Sequence, residues 1–158
     1  MTVATKKVQG RRTVRYASLS DLLSDAEKLS TTKIRTLGNW SFGQILKHIA
    51  MSLDSSIDGA GFALPAPARW LMSLLMKRKF LTKPIPPGFK TPAKFVPSET
   101  SITDGLAALR TAIDRQSREA KRAPHPAFGK IPNEEWNEFN LRHSEMHMSF
   151  VVPTNESA

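Results

Sequence analysis

Apolar positions recur along the chain at helical spacing in four separate stretches. Leu19, Leu22, Leu23, Ala26 and Leu29 predict a first helix over about 19–30, with Asp21 in its first turn and Thr31-Thr32 at its end. Ser41 and Gln44 stand three apart, as in a capping box, after the turn residue Gly38. They open a second helix that runs to about Asp58 and stops at Gly59. Its inward stripe is Ile45, Ile49, Ser52, Leu53 and Ser56, with His48 at the edge. A third helix begins near Thr100 or Ser101, shows Ile102, Leu106, Leu109 and Ile113 on one face, and ends by Pro124. A fourth opens at Pro132, with Glu134 and Glu135 in its first turn, and is expected to reach about Val151. No internal repeat and no β-hairpin pattern is visible.

Residues 59–100 break the rhythm. They begin Gly-Ala-Gly and contain seven prolines. One helix is expected inside them, from Pro67 to about Phe80, carrying Trp70, Leu71, Leu74, Leu75 and Met76 and ending in Lys77-Arg78-Lys79. A connector this long suits a crossover between two parallel neighbours, because antiparallel neighbours need only a short loop. The expected fold is therefore all-α: a four-helix bundle with a long Pro-rich crossover, carrying an extra helix, between helices two and three.

The last helix contains the candidate chemistry. His143 and His147 are four residues apart, so on a helix they stack on one face. At about 100° per residue, Trp136, Phe139, His143, His147 and Phe150 share one stripe, while Glu138 and Glu145 fall outward. Imidazoles on an apolar face, with His48 approaching from helix two, form a three-nitrogen donor set for one divalent metal with an open position. Ser52, Ser55 and Asn140 are candidates to orient the rings through their second nitrogens, and Asn140, one turn before His143, fits best. Glu145 is a weaker candidate because it points the other way. His125 lies between Pro124 and Pro126 and is read as a capping or packing residue near the start of helix four. The bland alternative is a bundle whose histidines merely pack and whose surface serves as an interaction module.

Composition narrows the picture. At 158 residues, 40% apolar and 23% charged, the chain is expected to form one domain over 16–152, with a flexible basic arm at 1–15 and a polar tail at 153–158. No cysteine is present, which removes thiolate ligands and cysteine nucleophiles. No apolar run is long enough for a transmembrane helix and no signal segment is visible, so a cytoplasmic location is expected. The net charge of +9 is concentrated. Residues 1–15 carry Lys6, Lys7, Arg11, Arg12 and Arg15, and residues 69–94 carry Arg69, Lys77, Arg78, Lys79, Lys83, Lys90 and Lys94, both without an acid. This is read as solvated charge. Nucleic acid is not an expected partner, since aromatic residues are not interleaved with the basic runs as a stacking platform requires. The 67–80 helix is expected to pack on the bundle or in a homodimer, with an anionic membrane as the other reading. Gly-x-Ser-x-Gly, phosphate-loop and His-Glu-x-x-His patterns are all absent.

The histidine arrangement resembles the DinB/YfiT-like superfamily of metal-binding four-helix bundles. Four stretches resemble an uncharacterised branch within it: Arg11–Tyr16, Leu37–His48, Ser55–Gly59, and His125–Gly129 with Trp136. The resemblance implies an up-down-down-up bundle and a zinc or nickel ion on His48, His143 and His147. It also implies chemistry on a small-molecule substrate, either transfer involving a low-molecular-weight thiol or hydrolysis. The branch usually has an Arg-Gln pair after its last histidine and another histidine just before it, where this chain has Met146, Ser149 and Phe150.

Overall fold

The computed structural model describes residues 2–154. It is mainly helical, with one small antiparallel sheet. The elements are α1 (Leu19–Ser30), β1 (Ile34–Thr36), α2 (Phe42–Asp58), α3 (Ala66–Leu75), α4 (Lys77–Thr82), α5 (Ile102–Arg118), α6 (Asn133–Met148) and β2 (Val151–Pro153). Reciprocal capping boxes fix the starts of α1 (Ser18 with Asp21) and α2 (Ser41 with Gln44). Gly59 ends α2 with φ 93°, a conformation that favours glycine.

The long helices α1, α2, α5 and α6 pack on one another, and α2 lies most closely against α5. That closeness depends on two glycines. A Cβ on Gly43 would run into the carbonyl oxygen of Thr100, and one on Gly105 would stand 2.5 Å from the carbonyl oxygen of Gly43. Around this crossing Leu22, Leu46, Ile49, Leu53, Leu109 and Met148 are fully buried.

The last helix ends earlier than expected. The chain turns after Met148, and Val151–Pro153 pairs with Ile34–Thr36, while Thr154 N–H donates to the Lys33 carbonyl. Strands of three residues are too short for a period-two signal to emerge from sequence. Of the expected polar tail, residues 155–158 lie outside the described residues. α5 also ends before Pro124, at Arg118, where the Arg122 guanidinium donates to the carbonyls of Gln116, Glu119 and Lys121.

A second difference concerns α6. Glu145, expected to face outward, is only 4% exposed. It accepts the Tyr16 N–H at 2.7 Å and pairs at 3.0 Å with the buried Arg142, which donates to the Tyr16 carbonyl at 2.8 Å. The two charges thus clamp one backbone residue from both sides. Burial nevertheless raises the Glu145 pKa. The basic segment expected as a flexible arm is what covers this side of α6. Arg12 N–H donates to the Ser149 carbonyl, the Arg12 guanidinium meets Asp25 with two bonds of 2.7 and 3.1 Å, and Val3 exchanges hydrogen bonds with Asn39.

The connector helix is broken in two at Met76, and its expected core packing is corrected in part. Met72 and Phe80 pack inward against Phe128, Ile131 and Trp136, but no residue of α3 is buried and Trp70 is 68% exposed.

Two stability predictions follow from these contacts. Gly43→Ala should lower the unfolding free energy by about 1–3 kcal/mol or more, because backbone rather than a flexible side chain blocks the added methyl. Glu145→Ala should cost about 3–5 kcal/mol by leaving Arg142 buried without its partner. Urea denaturation of both variants beside the wild type measures these losses. A change below 1 kcal/mol in either would contradict the contact concerned.

Candidate metal centre

His48 projects from the second turn of α2, and His143 and His147 from successive turns of α6. The packing of α2 on α6 brings one potential ligand nitrogen from each ring to within 4.8 Å of the others. His143 Nε2 and His147 Nε2 stand 3.1 Å apart.

The partner of His48 sets its tautomer, and the partner of His143 is compatible with the same one. His48 Nδ1 is 2.8 Å from the Phe95 carbonyl oxygen, which can only accept, so that nitrogen carries the proton and Nε2 keeps its lone pair. His143 Nδ1 is 3.2 Å from the Ser52 hydroxyl oxygen, and an N–H donated there leaves Nε2 as the free donor atom. Aromatic rings fix the planes. Trp40 stacks on His147 with centroids 5.6 Å apart and also packs on His48, and Phe139 stacks on His143 at 5.9 Å.

Burial keeps these imidazoles neutral. It lowers the His48 pKa, and it lowers the His143 pKa to about 3, with further depression by His48 and His125. It holds His147 well below the ordinary value, helped by His143 and His48. Neutral imidazole is the ligating form. Two nitrogens at about 2.0–2.1 Å from one tetrahedral ion lie about 3.3 Å apart, close to the observed 3.1 Å. At this distance one neutral ring can donate an N–H to the other, and a shared cation would take the place of that proton. The donor set, the neutral rings and the spacing of the His143–His147 pair are compatible with a bound divalent metal ion.

The histidines open onto a cavity of about 530 Å³. Trp40, Phe95, Phe128, Trp136, Phe139 and Phe150 supply much of its aromatic wall, and the connector covers it with Phe62, Phe80 and Phe89. Among the described lining residues there is no carboxylate, and Lys90 is the one charged side chain.

The other candidates are placed differently. Ser52 touches His143. Ser55 lines the cavity but donates to the Ser52 carbonyl inside α2. The Asn140 side chain is buried and makes no hydrogen bond in the structure, so it does not orient His143. His125 stands outside the three-nitrogen cluster. It shapes the Pro124–Gly129 loop: its backbone exchanges hydrogen bonds with Gly129, and Nδ1 accepts from Ala127 and Phe128 N–H at 3.1 and 3.2 Å. Its ring stacks on Phe128 at 4.4 Å. Sequence reasoning missed the Phe95 carbonyl, because a backbone acceptor leaves no mark in residue type. It also missed the stacking of Trp40, which was legible only as a residue preceding a helix cap.

These features define a helical protein with a three-histidine cluster, His48 buried and His143 and His147 partly so, at the base of an aromatic cavity. The sequence matches the model of a family described as protein of unknown function (DUF1569) over residues 8–154, and the chain belongs to that family. No curated protein and no solved structure matches it.

The His125 geometry has a pH consequence. Burial lowers its pKa from 6.5 to about 4. Between those values the unfolded chain takes up a proton that the folded chain does not, so stability falls as pH drops from 6.5 towards 4, by about 1.4 kcal/mol per pH unit for this one group. Asparagine can present an acceptor oxygen to the same two N–H groups. His125→Asn should therefore show a pH slope of unfolding free energy shallower by about one proton across that window. An unchanged slope would mean that His125 is protonated in the folded state.

Proposed function

We infer that this chain is a divalent-metal-binding protein of the DinB/YfiT-like type, with zinc or nickel held by His48, His143 and His147, and that it is a metal-dependent enzyme acting on a small molecule. The observation that carries the reading is the convergence of three neutral imidazoles from two helices at the base of one cavity. Mutual packing of α1, α2, α5 and α6, and the long connection from α2 to α5, support an up-down-down-up bundle.

When bound, the metal supplies Lewis acidity at its open position. The protein's own groups do the rest. The Phe95 carbonyl and the Ser52 hydroxyl orient two of the rings. Trp40 and Phe139 hold ring planes by stacking, and the aromatic walls give the space beside the histidines an apolar lining. With no carboxylate among the described lining residues, the cavity offers no acidic side chain as general base for hydrolysis. That favours binding and transfer of an anionic group such as the thiolate of a low-molecular-weight thiol over hydrolysis assisted by a carboxylate.

Elemental analysis of protein purified without a histidine tag tests the assignment. About one zinc or nickel ion per chain is expected, lost in His48→Ala, His143→Ala and His147→Ala while far-UV circular dichroism stays helical. Ser52→Ala should retain the site with affinity lowered about 10–100-fold. No metal in the wild type, together with no thermal stabilisation by added zinc or nickel, would reduce the histidines to packing residues and the protein to a non-enzymatic helical module.

A further inference from the structure

We propose that the outward face of α3 and α4 docks this protein on an anionic phospholipid surface. The segment is two-sided. Met72 and Phe80 face inward, join the Phe128–Trp136 cluster and help wall the cavity, while Lys77 ties the segment to α6 through Glu135 at 2.9 Å. On the other side Trp70, Leu74 and Leu75 are 68, 66 and 64% exposed, and Leu71 is exposed beside them. These four positions are spaced i, i+1, i+4 and i+5, so they form one apolar stripe. The stripe ends in a shallow groove lined by Leu75, Arg78, Lys79, Thr82 and Lys83. Among the described residues no carboxylate pairs with Arg78, Lys79 or Lys83, and residues 69–94 contain no acid.

Charge decides between occupants. In a two-fold dimer the same patch meets itself, which would bring the Arg78, Lys79 and Lys83 cations of both copies into one interface with no carboxylate from residues 69–94 to offset them. A surface of anionic headgroups neutralises those cations, while Trp70 and the leucines enter the boundary between headgroup and acyl chain. No helix among the described residues is long and apolar enough to cross a membrane, so the contact is one that lies on the surface. Docking in this way would place the connector wall of the cavity on the lipid side. The proposal does not require metal.

Co-sedimentation of the full chain with phosphatidylglycerol vesicles and with phosphatidylcholine vesicles tests it, with the emission of Trp70 as a second readout. Of the three tryptophans, Trp136 is buried and Trp40 partly so, which leaves Trp70 to report insertion. Binding to phosphatidylglycerol only, weakened by salt, with a blue shift that Trp70→Phe removes, is the expected result. Arg78→Ser with Lys79→Ser should weaken binding about 30-fold. Leu74→Ser should weaken it about tenfold or more. These side chains are exposed, so unchanged circular dichroism is expected. Absence of binding, or equal binding to both vesicles, would overturn the proposal. So would a lipid-free dimer that Leu74→Ser converts to monomer, which would make this face a self-association surface instead.

Discussion

Two opposite charges buried in one helix hold the rest of the molecule in place. Arg142 and Glu145 lie on the side of α6 away from the cavity, and each binds the backbone of Tyr16. A buried ion pair stabilises little by itself, because desolvation offsets the attraction. Its effect here is positional. With one side of α6 committed to the N-terminal segment, the other side must face the cavity, and His143 and His147 go with it. From Asn140 to Met148 the helix has no exposed residue, in keeping with its ending against a strand rather than in solvent.

The cavity follows from a division of labour between helix and connector. The close α2–α5 crossing at Gly43 and Gly105 sets α2, and α2 sets His48 and Ser52. Proline and glycine prevent the connector from becoming a long helix, so it folds back over the site. Its Phe95 carbonyl then completes the environment of His48 at 2.8 Å. One segment thus orients His48 from within while presenting Trp70 and Leu74 to the outside. The lining of the cavity is mostly apolar and aromatic, and it carries no negative charge of its own among the described residues. In such surroundings an imidazole is neutral and a bound cation would lack a nearby counterion, which is the setting in which an anionic ligand binds tightly.

Much was legible from sequence because it is local. The Ser41–Gln44 capping box, the glycine stop of α2 and the apolar stripes act over a few residues, so α1 and α2 begin and end where the pattern places them. The His143–His147 pair is likewise a consequence of helical geometry alone. His48 was legible as a residue on the edge of an apolar stripe, and its nearness to the pair required only that two amphipathic faces meet. The outward reading of Glu145 failed because a 3.6-residue period finds one apolar face, and it cannot detect a second face buried by a pair of charges.

What the chain determined by itself is the four long helices and the presence of three histidines on or beside apolar faces, since backbone propensity and periodicity are properties of neighbours in sequence. Tertiary structure alone decided how the His48 and His143 rings are held, because that depends on a backbone carbonyl 47 residues from His48 and a hydroxyl 91 residues from His143. It alone decided that Val151–Pro153 becomes a strand, because an edge needs a partner. It also left Trp70, Leu74 and Leu75 in solvent, since a helix with two apolar sides can bury only the side that meets the body.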